Sequence, residues 1–249
     1  MQKLTQRLPG ADIGRWLAPL GQTWALVLGA FSIESVLNFS WQEYRKACIW
    51  MGLKSFHMVT LSAVFVATAL VIQLITELQK YHAQDVAAAL ISVGLLREIG
   101  PLTIGLAWCA RVAACISDEA QAYKISNSGV NFSPTFILPR YLAALTMALP
   151  LATYGLLIGF TTGALVSPLI GGCSFWDFLH FGMQAVHDKD LATYFLKLVF
   201  VNPTIAVFAA CVCGTQMNKV FPVASSAVTA TFICAFIANL AITIAVFLP

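Results

Sequence analysis

The stretch FHMVTLSAVFVATALVIQLI, running from Phe56 to Ile75, decides the fold. It holds no Asp, Glu, Lys or Arg. As a helix rising about 1.5 Å per residue it spans about 30 Å, the thickness of a bilayer's hydrocarbon core. Its apolar residues are continuous rather than alternating with polar ones, so it reads as a helix and not as a strand of a membrane barrel.

The rest of the chain shares this character. Of 249 residues, 59% are hydrophobic and 10% charged, and the mean hydropathy is +0.81. Soluble domains average about a quarter charged residues, and disorder requires low hydrophobicity with high net charge. The composition excludes both. It leaves room for about five or six membrane spans. We expect an all-α integral membrane protein with about five transmembrane helices, preceded by an N-terminal interfacial or re-entrant helix. Net charge is +3, with no basic stripe interleaved with aromatics, so nucleic acid is not an expected partner. Six of the seven cysteines lie in or beside apolar runs and only Cys173 sits in a loop, which argues against a disulfide framework. Cys211 and Cys213 read as small buried hydrophobes, not a metal pair.

N-terminal to the first span, residues 1–54 form a mixed region. Ile13, Trp16, Leu17, Leu20 and Trp24 recur at helical spacing opposite Asp12, Arg15 and Gln22, the pattern of a helix lying in the membrane interface. Pro19 kinks or breaks it. Residues 20–39 contain Gln22, Ser32, Glu34 and Ser35 and are expected in a shallow or re-entrant position. Ser40-Trp41-Gln42-Glu43 is a capping box that starts a new helix. No signal-peptide pattern precedes it.

C-terminal to the first span, residues 76–85 read as a polar loop. The second span runs from Val86 to about Ala114, interrupted by Arg97-Glu98 and Gly100-Pro101. Residues 115–139 are polar, either a solvated loop or a short helix that docks a partner. The third span covers about 141–165, a long loop 166–190, and the fourth span about 191–213, with Lys197 and Pro203 inside it. A short loop 214–222 and a fifth span, about 223–248, complete the five-span domain 55–249. Ten of the 14 basic residues, namely Lys3, Arg7, Arg15, Arg45, Lys46, Lys54, Arg111, Lys124, Arg140 and Lys219, fall on one side, against Lys80 and Lys189 on the other. The richer side should be cytoplasmic, which places the N-terminus there.

The two remaining basic residues, Arg97 and Lys197, lie within spans, as does Glu98. Each such charge costs about 2.5–3.5 kcal/mol on insertion scales and marks a functional site unless it reaches the interface. Arg97 and Glu98 are either a functional polar site or a snorkelling pair near a helix end. Lys197 either snorkels outward or pairs with Asp190 seven residues earlier. Gly100-Pro101 breaks the helix beside Arg97-Glu98, and such breaks are tolerated where backbone lines a wet cavity. Hence Arg97, Glu98, Gly100, Pro101 and Lys197 are the candidate cavity residues. P-loop, HExxH and GxSxG motifs are absent and the four histidines are scattered, so neither a catalytic nor a metal site is expected, and no ATP hydrolysis by this chain alone.

Leu95-Leu96-Arg97-Glu98-Ile99-Gly100-Pro101-Leu102, followed by Ala110-Arg111 and Asp118-Glu119, resembles the signature of the MlaE permease family. Leu138-Pro139-Arg140-Tyr141, the Asp190 to Lys197 spacing, Cys211 to Gly214 and Ala227 to Thr231 add weaker matches, so the resemblance covers about residues 12–249. It implies a permease subunit of an ABC transporter in the bacterial inner membrane that moves phospholipid or a related lipid between inner and outer membranes and so bears on lipid asymmetry. It further implies two copies of the chain around a lipid cavity, two ATPases, a periplasmic MCE-domain protein and a STAS-domain protein. No cofactor is implied beyond ATP on the partner ATPase. Asp118, Glu119, Tyr123, Lys124, Asn127 and Asn131 fall in the family's coupling segment, here 115–139, which is several residues shorter than the family's and lacks its Glu-Gln pair. Thr215-Gln216-Met217-Asn218-Lys219 replaces the family's glycine-rich turn after the fourth span. The rival readings are an integral-membrane lipid-modifying enzyme and a secondary transporter; the latter predicts inverted repeats that this sequence does not display.

Overall fold

The computed structural model describes residues 39–83, 86–126, 134–215 and 223–248. The expectations for residues 1–38, for Asn127 and Asn131 and for the turn 216–222 lie outside the described residues. Among those described there is no strand. Five stretches are long and apolar enough to cross a membrane: Trp41–Gln79, Ala87–Tyr123, Phe136–Ile170, Asp188–Gly214 and Val223–Phe247.

Helix α1 (Trp41–Met51) starts where Ser40 predicts, with the Ser40 Oγ accepting from the Glu43 N–H at 3.4 Å. The Glu43 carboxylate turns instead to Lys46 and Arg140. Gly52 and a 3-10 turn, Leu53–Ser55, redirect the chain into α2 (Phe56–Gln79). A Cβ at position 52 would lie 2.4 Å from the Met147 sulfur, so only glycine lets the chain pass this close to the third span. Helix α2 buries Val59, Ala63, Ala67, Val71 and Ile75, one residue in four. It runs a turn beyond the predicted end at Ile75. Gln79 there donates to the Ile170 carbonyl at 2.8 Å and ties α2 to the end of the third span.

The second span departs most from expectation. Helix α3 (Ala87–Gly94), a π-helical segment Leu95–Ile99 and α4 (Gly100–Ser126) follow one another without a break. Gly100-Pro101 therefore does not interrupt the helix. Pro101 has no N–H for the carbonyl four residues back, and its ring crowds that carbonyl. Widening the preceding turn to i→i+5 bonding makes room for the ring, and the Gly100 N–H bonds the Leu95 carbonyl accordingly. The fourth span repeats the device. Helix α7 (Asp188–Phe195) passes through a π segment, Leu196–Val201, into α8 (Asn202–Thr215), and Pro203 again stands second after the widened turn.

Both long loops are shorter than the sequence suggested. Helix α4 continues to Ser126 and α5 (Pro134–Val166) begins at Pro134, so most of the polar segment 115–139 is helix, the second of the two alternatives, carried by extensions of two spans rather than by a separate short helix. The segment 166–190 holds a 3-10 turn, Ser167–Ile170, and a helix, α6 (Phe175–Ala185). Ser174 caps α6 by accepting from the Asp177 N–H at 3.3 Å. Phe178 and Gly182 face inward while Trp176 and Met183 are exposed. At 11 residues, flanked by glycines and charges, this amphipathic helix is too short to read as a span.

Helix α4 is central, packed against α2, α8 and the last helix, α9 (Val223–Phe247). Its Ile104, Trp108, Val112 and Ile116 share one core with Ala144 and Leu151 of α5 and Val207 and Cys211 of α8. Gly105 lets α8 come so near that a Cβ there would meet the Asn202 amide nitrogen at 2.3 Å. All seven cysteines are free.

Candidate functional site

Each π segment carries the charges that its span should have excluded: Arg97 and Glu98 in the first, Lys197 in the second. The fold brings them together with Asp190, the acidic member of the capping box that opens α7. The Arg97 Nε donates to Asp190 Oδ1 at 2.6 Å, and the His187 N–H holds the other oxygen at 3.2 Å. Lys197 Nζ lies 3.4 Å from Glu98 Oε1. Pairing is therefore crossed relative to expectation: Asp190 takes Arg97 and not Lys197, whose i,i+7 separation along one helix cannot compete with a neighbour on the facing span. The four formal charges sum to zero, which suits a site removed from water.

Lys197 does not snorkel. Its side chain is fully buried and its three protons find three acceptors: Glu98, the Thr243 hydroxyl at 2.6 Å and the Arg97 carbonyl at 2.7 Å. The last of these is the carbonyl Pro101 cannot reach. The Thr243 Oγ1 also lies in hydrogen-bonding contact with Glu98 Oε1. Arg97 is different. Its side chain is 39% exposed, its guanidinium carbon stands 4.4 Å over the Phe247 ring, and its terminal amino groups make no hydrogen bond to a described residue. Arg97 is thus fixed at Nε, stacked on one face and open at its tip. That arrangement presents a planar donor pair to an anion such as a phosphate.

Gly100 and Pro101 are buried. A Cβ on Gly100 would stand 3.2 Å from the Tyr194 ring, so Gly100 sits close against Tyr194 of α7. A cavity of about 410 Å³ opens nearby, between α5, α6 and the start of α7, lined by Leu96, Leu157, Phe160, Met183 and Leu191 among others. None of the five candidate cavity residues lines it. Leu96 and Leu191, however, are chain neighbours of Arg97 and Asp190, so its wall adjoins the charged site.

At the opposite end of the bundle, Asp118 and Glu119 are exposed on the last turns of α4. The Glu119 carboxylate accepts from Arg140 Nε at 2.7 Å. Arg140 also donates to the Phe136 carbonyl at 2.8 Å and to Glu43 at 3.1 Å, so one guanidinium ties α1, α4 and α5 together. Tyr123 leans on the Phe136 ring at 5.1 Å. The Lys124 side chain, Asn127 and Asn131 lie outside the described residues.

Sequence reasoning missed Thr243, Asn202, Asn239 and Phe247. Asparagine and threonine four residues apart inside the last apolar span, at 239 and 243, are the signal that was available for two of them.

The profile of the family described as Permease MlaE matches residues 44–246. A probable ABC transporter permease protein of Rickettsia prowazekii is 24% identical over 208 residues, 78% of this chain and 79% of that protein. A Rickettsia bellii protein of the same description is 24% identical over 211 residues, 80% of each chain. The intermembrane phospholipid transport system permease protein MlaE of Haemophilus influenzae is 23% identical over 201 residues, 77% of this chain and 76% of that one.

Proposed function

This chain belongs to the MlaE permease family, and from that premise we propose that it is the lipid-conducting subunit of an ABC transporter that moves phospholipid or a related lipid between inner and outer bacterial membranes. It spans the membrane several times. ATP is hydrolysed by a partner ATPase docked at the end that carries Asp118, Glu119 and Tyr123, and that end is cytoplasmic. Two copies of the chain enclose the lipid. An MCE-domain protein receives or delivers it on the other side, and a STAS-domain protein joins the ATPase.

One observation carries the reading: Arg97, held by a buried carboxylate and an aromatic face, has amino groups that bond no described residue and stays 39% exposed. A lipid phosphate satisfies those donors while its chains remain among apolar side chains, for which the 410 Å³ cavity beside Leu96 and Leu191 has room. Glu98 and Lys197 pair the second and fourth spans beside it. Closure of the ATPases moves the 115–139 segment, and the Arg140 tie passes that motion to three helices.

The test is lipid transfer by the reconstituted assembly. Arg97→Ala should lose most of the transfer at normal expression while ATP hydrolysis persists, and Arg97→Lys should recover part of it. Unchanged transfer for Arg97→Ala would remove the site assignment. Activity of the isolated chain, without ATPase or ATP, would overturn the transporter reading in favour of an enzyme or a secondary transporter.

A further inference from the structure

Helix α9 is attached unlike the other spans. It is the least buried of the five. Val223, Ala227, Thr231, Ala235 and Asn239 are its buried residues, one in every four. This single ridge lies against α4 and α8, and Phe232, Phe236 and Leu240 beside it are exposed. The ridge is nearly self-similar: alanine, threonine, alanine. Sliding α9 by two turns puts alanine on alanine, and a slide of four residues exchanges alanine and threonine along the middle of the ridge, with Val223 or Asn239 moving onto an alanine place at its end. Between membrane helices there is no hydrophobic force to choose among such registers, only packing and hydrogen bonds.

Asn239 breaks the repeat. Its Nδ2 donates to Asn202 Oδ1 at 2.7 Å, and Asn202 Nδ2 donates to the Pro101 carbonyl at 3.3 Å. Both side chains are fully buried. Asn239 Oδ1 is buried with no hydrogen-bond partner among the described residues, an arrangement that packing alone disfavours. A lone buried asparagine is known to fix register between helices at a cost in stability. One turn beyond it Thr243 accepts from Lys197 and touches Glu98, and two turns beyond it Phe247 lies under Arg97.

We propose that the Asn202–Asn239 amide pair is the register lock of α9. The two asparagines are positioning residues: they set the height at which Thr243 and Phe247 meet the charged site. A slip of four residues along the ridge, about 6 Å, would take Thr243 from Lys197 and Phe247 from Arg97 together. The inference rests on the proposed transport function only in its activity readout.

The experiment uses the full chain in its assembly, reconstituted in phospholipid vesicles, with native cysteines replaced and a nitroxide at Ile244→Cys, which is exposed on α9. The depth of the label in the membrane is read from relaxation by oxygen and by a water-soluble nickel chelate. A label at Phe65→Cys on α2 serves as the reference. The unaltered register should give one depth. Asn239→Ala should give more than one, separated by about 6 Å, with most lipid transfer lost. Combining Asn239→Ala with Ala235→Asn moves the amide down one turn. It should restore a single depth, displaced by about 6 Å toward the side on which α9 ends, with transfer still lost. A single native depth for Asn239→Ala, or a native depth for the moved amide, overturns the lock. So does loss of folded protein that moving the amide does not repair. Absence of lipid transfer from the unaltered assembly would strike the transport reading and leave the depth measurement standing.

Discussion

The Lys197 ammonium donates to the main-chain carbonyl of Arg97 at 2.7 Å, across 100 residues of sequence. That carbonyl is free because Pro101, four residues on, has no N–H to give it. Two spans that each widen into a π turn before a proline are thereby joined at the widened turns, and the charges of the site stand on both sides of the joint.

Pro101→Ala restores a donor that competes with Lys197 for this carbonyl. A proline inside a helix costs about 3 kcal/mol relative to alanine, so thermal unfolding should occur at the same or a higher temperature. Lipid transfer should fall because Lys197 and Glu98 are released from their present places. Transfer and unfolding measured on the same preparation check the opposed signs.

Glu98→Ala leaves the buried Lys197 charge without its counter-ion. Breaking a buried pair from one side costs about 3–5 kcal/mol, whereas replacing both partners by apolar groups is often neutral. Glu98→Ala should therefore be markedly unstable and Glu98→Ala with Lys197→Met should regain most of the loss, without regaining transfer. Denaturation of the two variants in detergent, compared as a cycle, measures the coupling.

Arg140 makes three separately directed bonds, to Glu119, Glu43 and the Phe136 carbonyl. Lysine supplies one point charge and cannot span them. Arg140→Met should cost about 1–3 kcal/mol, and Arg140→Lys should recover less than half of it. Both should weaken the dependence of ATP hydrolysis on added lipid, read in the assembled transporter.

Two glycines in the same span should respond oppositely to alanine. A Cβ at Gly105 would meet the Asn202 amide nitrogen at 2.3 Å, while one at Gly94 would meet nothing within 4 Å. Gly105→Ala should destabilise by about 1–3 kcal/mol through overpacking. Gly94→Ala should stabilise by about 0.5–1 kcal/mol through helix propensity alone. Parallel unfolding curves settle both.

Local signals were legible. Ser40 announced the start of α1, and the apolar runs located all five spans. Arg97, Glu98 and Lys197 stood out because a bilayer penalises each of them. Less legible was the fate of Gly100-Pro101, since a proline's clash can end a helix or widen a turn, and only the neighbours that bond the freed carbonyl decide which. Helix α6 stayed hidden because eleven residues flanked by glycine and charge lack the length that marks a span.

What the sequence determined by itself was the class of protein: hydrophobic length and period are local properties, and 20 uncharged apolar residues have one favourable environment. Which charge meets which was decided by tertiary structure alone. Asp190 is seven residues from Lys197 in the chain and 93 from Arg97, yet it bonds Arg97 at 2.6 Å. The reason is that a buried charge takes the partner whose helix packs against its own, and the second and fourth spans come together closely, as at Gly105, where a Cβ would meet the Asn202 amide nitrogen at 2.3 Å.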